Sequence, residues 1–150
     1  MSSDIRSIKA ALVTLLKADT TLQTLLGTDA RGNRPVYHTF IEATINKPCI
    51  TVEDITDTAQ VSGLKDSYDG AKRYQWQFAV IQVDCWSGKG ADERDQIENA
   101  VLKCILKNGV SGSLYFQEPA IVPMDEPSSK PPLWRKCLRF HAMYVLEVAA

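Results

Sequence analysis

Between Tyr74 and Asn108 the hydrophobic repeat of the chain changes once, from strand-like to helical. The first thirteen residues, YQWQFAVIQVDCW, are rich in aromatic and β-branched types. They give way at Ser87-Gly88-Lys89-Gly90 to a run in which Ile97, Val101, Cys104 and Ile105 fall at helical spacing. This predicts a strand over Tyr74–Trp86, a turn, and a helix over Ala91–Lys107 stopped by Asn108-Gly109. Both faces of the strand are largely apolar apart from Gln75, Gln77, Gln82 and Asp84, as expected of a central strand covered on both sides for part of its length. Asp92, Glu93 and Asp95 lie at the start of the helix and Lys103 and Lys107 near its end, the arrangement its dipole favours.

Upstream, Ile5, Ile8, Leu12, Leu15 and Leu16 mark one helical face from Asp4 to Lys17, with Ser3 or Asp4 available as N-cap. Ala18-Asp19-Thr20 breaks the phase, and Leu22, Leu25 and Leu26 before Gly27 predict a short second helix. Residues Thr28 to Lys47 read mainly as connection, with a short possible strand at Val36-Tyr37-His38. After Pro48, Ile50, Val52 and Ile55 alternate with polar residues until the pattern slips, which predicts a strand over Cys49–Thr56. Asp57 to Arg73 is long for simply reversing the chain, and is expected either to be a solvated loop or to order against a partner.

Downstream, Leu114 to Val122 has mixed strand character. Pro123 to Pro132 (PMDEPSSKPP) reads as a stiff extended loop, because four prolines remove backbone donors. In LWRKCLRFHAMYVLEV, Trp134, Leu138, Phe140, Ala142, Tyr144 and Leu146 point one way while Arg135, Cys137, Arg139 and His141 point the other. That is a half-buried strand with a basic second face. The order helix, short helix, strand, long excursion, strand, helix, strand, strand, with no internal repeat or linker, favours a single α+β domain. In such a domain a mainly antiparallel sheet carries helices on one face.

Composition narrows the class. With 150 residues, 45% apolar and 23% charged, the chain resembles an ordinary soluble domain able to bury one core. A formal net charge of -1 gives no general attraction to phosphate, so sequence-specific nucleic-acid binding is not expected. Asp4, Arg6, Lys9 and Lys17 interrupt the apolar N-terminal run, so neither a membrane span nor a signal peptide is expected, and the protein is expected to stay in the cytosol where it is made. Cys49, Cys85, Cys104 and Cys137 are dispersed within apolar runs, as buried reduced thiols would be.

Catalytic patterns are sparse. Gly88-Lys89-Gly90 lacks the spacing of a phosphate cradle, and Asp92-Glu93 would repel an anion there. No carboxylate pair among Asp54, Asp57, Asp66, Asp69 and Asp84 is singled out by spacing. Asp84, between Val83 and Cys85, would need a partner if buried, and Arg135 or Arg139 could provide one. His141 is a single histidine in a strand, read as a surface or satisfied core group before a base, His38 lies in a connecting segment with no recognisable nucleophile nearby, and no cofactor or metal is implied. A small enzyme or ligand-binding domain using Asp84, Arg139 and His141 is the competing class.

Five phrases then occur in order: L-x-x-L-L-G (Leu22 to Gly27), R-P-V-Y (Arg34 to Tyr37), K-P-C-I-T-V (Lys47 to Val52), V-D-C-W-S with its helix (Val83 to Ser87), and L-R-F (Leu138 to Phe140). Together they resemble the tail completion and tail terminator proteins of long-tailed bacteriophages. The resemblance implies an α+β sheet with helices on one face and a non-enzymatic subunit of a ring, commonly a hexamer, at the head-proximal end of the tail. It also implies as partners the tail tube protein and the head-tail connector or stopper, with DNA free to pass through the ring. Localisation would be the virion, and the host cytoplasm during assembly. A head-tail stopper or adaptor is the nearest alternative. The chain departs from the family pattern in its Asp57 to Arg73 and Pro123 to Pro132 segments. Combined with the residues, this reading makes Leu64, Lys65, Asp66, Tyr68, Lys72 and Arg73 the candidate contact to the tail tube. It makes an acidic helix (Asp92, Glu93, Asp95, Glu98) and a basic strand face (Arg135, Lys136, Arg139) candidate complementary subunit surfaces.

Overall fold

Asp4 opens the first helix by accepting the backbone N–H of Ser7 at 2.7 Å, which occupies a donor the helix start would otherwise orphan. The computed structural model of the chain describes residues 4–38, 48–59, 67–69, 72–111, 115–116, 120–126, 128 and 132–149. Helix α1 spans Ile5–Ala18 and buries Ile8, Leu12, Val13 and Leu16. Asp19 repeats the capping device for α2 (Thr20–Leu26), accepting from the N–H of Leu22 at 2.9 Å. Gly27 then ends α2 with φ at 65°, in the left-handed region that favours glycine.

Among the described residues seven strands form one sheet: β1 (Val36–Tyr37), β2 (Cys49–Ala59), β3 (Ser67–Asp69), β4 (Lys72–Ser87), β5 (Tyr115–Phe116), β6 (Ala120–Pro123) and β7 (Trp134–Ala149). The order is β1-β2-β4-β7-β5, with β3 beside β4 and β6 beside β7. Among the described residues, only the β1–β2 pair is parallel. Helix α3 (Ala91–Asn108) follows β4 directly. The helices pack on one face, where Ile8, Leu12, Ile97 and Val101 meet Ile81, Val83, Leu138 and Phe140 in the core. The fold is thus the expected α+β arrangement, with β4 central.

Register assigns the β4 side chains from Trp76 onward to a face. Ala79, Ile81, Val83 and Cys85 turn toward the helices, and Trp76, Phe78, Gln82, Asp84 and Trp86 turn to the helix-free side. Strand β7 matches it from Lys72↔Ala149 to Ser87↔Trp134 without a break.

Three expectations change. The slip in alternation after Val52 is a bulge, since Asp54 faces Ile81 while Thr56 faces Val80, leaving Ile55 as the extra residue. The strand therefore continues to Ala59, past the expected end at Thr56. The Asp57 to Arg73 excursion is partly strand. Because β7 takes one edge of β4 along its whole length, β3 lies on the same edge as β2 and resumes its row, with Ala59 opposite Gln77 and Ser67 opposite Tyr74. Finally, the proline-rich segment begins as one arm of a β-hairpin. Met124 donates its N–H to the Arg135 carbonyl at 2.8 Å, and Glu126 and Leu133 exchange backbone hydrogen bonds. Pro123 closes β6, and the residues that donate, at 124 and 126, keep their N–H groups.

Candidate functional site

Two groups of charged and polar side chains flank β7, one on each face of the sheet. On the helix side Lys136 reaches α3, with Nζ 2.6 Å from Glu98 Oε2 and 2.8 Å from Asp95 Oδ1. The two carboxylates raise the Lys136 pKa, Asp95 acting most strongly, and Lys136 in turn holds Asp95 below the usual carboxylate range. One turn away the buried Arg94 donates through Nη1 to both carboxylate oxygens of Asp125, on the segment after β6. Asp125 also accepts the backbone N–H of Arg135 at 2.9 Å. Its pKa is lowered chiefly by Arg94. These contacts clamp the β6–β7 hairpin to the start of α3.

On the helix-free side Asp84 is 4% exposed. Gln82 lies two residues away on the same face, and its Nε2 donates to both carboxylate oxygens of Asp84, at 2.9 and 3.0 Å. Arg139 donates through Nε to Gln82 Oε1 at 3.2 Å, and Arg135 Nη2 approaches Asp84 Oδ2 at 3.4 Å. The Arg135 guanidinium lies over Trp86, 4.8 Å from the ring centroid, and Trp86 donates to Thr51 Oγ1 at 3.1 Å. Arg135 Nε is buried with no hydrogen-bond partner among the described residues. Glu53, on the β2 rung opposite Gln82, has its pKa raised, first by burial and then by the Asp84 charge.

This geometry corrects the grouping of Arg135, Lys136 and Arg139 as one basic face. A strand alternates its side chains, so Lys136 points to the helices while Arg135 and Arg139 point away. The acidic residues also divide. Asp95 and Glu98 engage Lys136 of the same chain. Glu93 accepts from Ser87 Oγ at 2.8 Å, and the exposed Asp92 accepts from Gln96 at 2.7 Å. Of the expected tube-contacting set, Leu64, Lys65 and Asp66 lie outside the described residues. Tyr68 is in β3, opposite Arg73, and Lys72 and Arg73 open β4.

Asp84 does find Arg135, one of the two partners expected for it, while Arg139 reaches it only through Gln82. His38 and His141 are exposed. Sequence patterning missed Arg94 and Asp125. The one available signal was that Arg94 falls in phase with Ile97, Val101 and Cys104, so a charge sits on the apolar stripe and needs a buried partner.

Chemically the arrangement holds surfaces in place. Burial pushes the Cys85 thiol well up and those of Cys104 and Cys137 up to about 11, so all three stay protonated near neutral pH and are poor nucleophiles. In the turn before α3, Ser87 Oγ already accepts the N–H groups of Lys89 at 3.1 Å and Gly90 at 3.3 Å, the donors an anion would need. No helix among the described residues is long and apolar enough to cross a membrane.

No protein-family model matches this chain, and no curated protein matches it. Among solved structures, it is similar to a chain of the virion of a native gene transfer agent particle, at 19% identity and a TM-score of 0.50. The match covers 91% of this chain and 92% of that one, so the two share a fold along nearly their whole lengths.

Proposed function

We propose that this protein is a structural subunit of a phage-like virion that forms a ring at the head-proximal end of the tail. There it ends polymerisation of the tail tube and offers the surface to which the head connector joins. The observation that carries this reading is the end-to-end similarity in fold to a chain of a gene transfer agent virion. The resemblance of the ordered phrases from Leu22 to Phe140 to tail terminators supports it independently. The internal clamp of Lys136 on Asp95 and Glu98 fits a subunit that must present a rigid surface. In this reading the exposed Asp92 and Arg139 remain for register between neighbours, and the Asp57 to Arg73 segment meets the tube.

Particles assembled without this protein provide the test. Electron micrographs should show abnormally long tails, or heads and tails left unjoined. Tails of normal length joined to heads overturn the proposal. Deleting Ser62 to Gly70 should leave a folded ring that no longer caps tubes, and normal tail length in that variant removes the assigned role of the segment.

A further inference from the structure

A groove of about 470 Å³ lies between α2 and α3, in the helical layer. Leu25, Ala100 and Cys104 give it an apolar lining. Ala100 and Cys104 belong to the buried stripe of α3, and Leu25 packs on the same core while staying partly exposed, so the fold itself fixes this lining. Lys103 and Lys107 also line the groove, and both are exposed.

These two lysines set the groove apart. Lys9, Lys89 and Lys136 each reach a carboxylate of their own chain, at 2.5, 3.6 and 2.6 Å. Lys103 and Lys107 reach none among the described residues. The helix dipole accounts for Lys107, in the last turn of α3, and fades before Lys103 one turn earlier. Asp19 borders the groove too, but its carboxylate serves the start of α2, where it accepts the N–H of Leu22.

Lys103 and Lys107 stand four residues apart on α3, so their side chains rise side by side, about 6 Å apart at the base. Two carboxylates match that spacing when they lie four residues apart on a helix or two apart in an extended segment. An apolar side chain between them would meet Leu25, Ala100 and Cys104. The chain's own acidic run is engaged internally, since Asp95 and Glu98 hold Lys136 and Glu93 accepts from Ser87. A nucleic-acid backbone suits the groove poorly, because its lining is apolar, the Asp19 carboxylate borders it, and the net charge of the chain is -1.

We infer that the α2–α3 groove binds an acidic segment of another protein of the particle, in which an apolar side chain is flanked by two carboxylates that pair with Lys103 and Lys107. This rests on the virion reading above and names a partner chemistry for it. Exposed ion pairs are weak singly, so the apolar contact holds the segment and the lysines select it.

Carbodiimide cross-linking of purified particles tests the contact. The reagent activates a carboxylate, a lysine amine attacks the activated carbonyl to form an amide, and the reagent leaves as a urea. Peptide mapping should find Lys103 or Lys107 joined to an Asp or Glu of a different polypeptide, with a second carboxylate two or four residues away. Lys103→Gln with Lys107→Gln should abolish that product and lower retention of the partner in salt-washed particles about tenfold, the effect of losing two exposed pairs. Both side chains are exposed, so circular dichroism and thermal melting of this variant should match wild type. Lys103→Arg with Lys107→Arg should keep the partner. Lysines joined only to another copy of this chain, joined to DNA under ultraviolet light, or joined to nothing overturn the inference and leave the virion reading in place, as does full retention of the partner by the glutamine variant. Purified particles that lack the chain overturn both.

Discussion

The ammonium of Lys136 sits 2.6 Å from the Glu98 carboxylate, which ties the start of β7 to the second turn of α3. Both side chains are well covered, so the contact belongs with charge-assisted hydrogen bonds more than with exposed ion pairs. Lys136→Met should lower stability by about 1.5–3 kcal/mol, the range for a hydrogen bond to a charged group. Thermal unfolding of the two proteins checks this, with a shift of about 2–4 °C expected per kcal/mol for a chain of this size. An unchanged melting temperature would mean that the pair contributes nothing.

The same clamp sets a pH response. Asp95 and Asp125 have folded pKa values below 3.8, so their contribution is present above that value and lost as pH falls through the lower folded one. Lys136 is raised, so its contribution is full below 10.5 and lost as pH climbs through the higher folded value. Asp125→Asn should therefore destabilise at pH 7, and the gap to wild type should close in acid below about pH 4. Urea unfolding at a series of pH values measures it.

Glu53 has the opposite sign. Burial and the neighbouring Asp84 charge raise its pKa, so ionising it disfavours the folded state above about pH 4.5. Glu53→Gln should stabilise the protein at pH 7 and make no difference well below pH 4. Equal stability of the two proteins at pH 7 would contradict this.

Asp84 carries the largest single penalty. Replacing it with Ala strands Gln82 and Arg135 on a buried surface, and removing one partner of a buried ionic pair costs about 3–5 kcal/mol. Asp84→Asn keeps the volume and a carbonyl for Gln82, so it should lose less. A catalytic role predicts instead that both variants fold and assemble as wild type does.

Gly109 ends α3 with φ at 66° and ψ at -175°, a conformation that side chains rarely adopt. Space does not oppose a methyl group there. The cost of Gly109→Ala, about 1–3 kcal/mol, should therefore come from the backbone alone, and an unshifted denaturation midpoint argues against it.

Much of the fold was legible because its signals are local. Asp4 and Asp19 cap helices where polar residues precede an apolar repeat, Gly27 and Gly109 stop helices, and the alternation of β7 names its buried face. What failed depends on pairing at a distance. The slip at Ile55 is a strand end in sequence and a bulge in space, because β4 supplies partners on both sides of it. The prolines from 123 to 132 hid a hairpin, since donors at 124 and 126 suffice once β7 lies alongside. The charged residues could be found, yet not their pairing. Nothing short of the α3 and β7 packing shows that Lys136 answers Asp95 and Glu98 while Arg135 turns to Trp86.

The unbroken β4–β7 ladder has a kinetic consequence. Its two strands are separated in the chain by all of α3, β5 and β6, so the centre of the sheet forms only when distant segments meet. Sheets dominated by such pairings fold over milliseconds to seconds, far slower than helical bundles. Amides at the middle of the ladder, around Ile81 and Phe140, should accordingly be the last to exchange with solvent, because they open only when the whole domain unfolds.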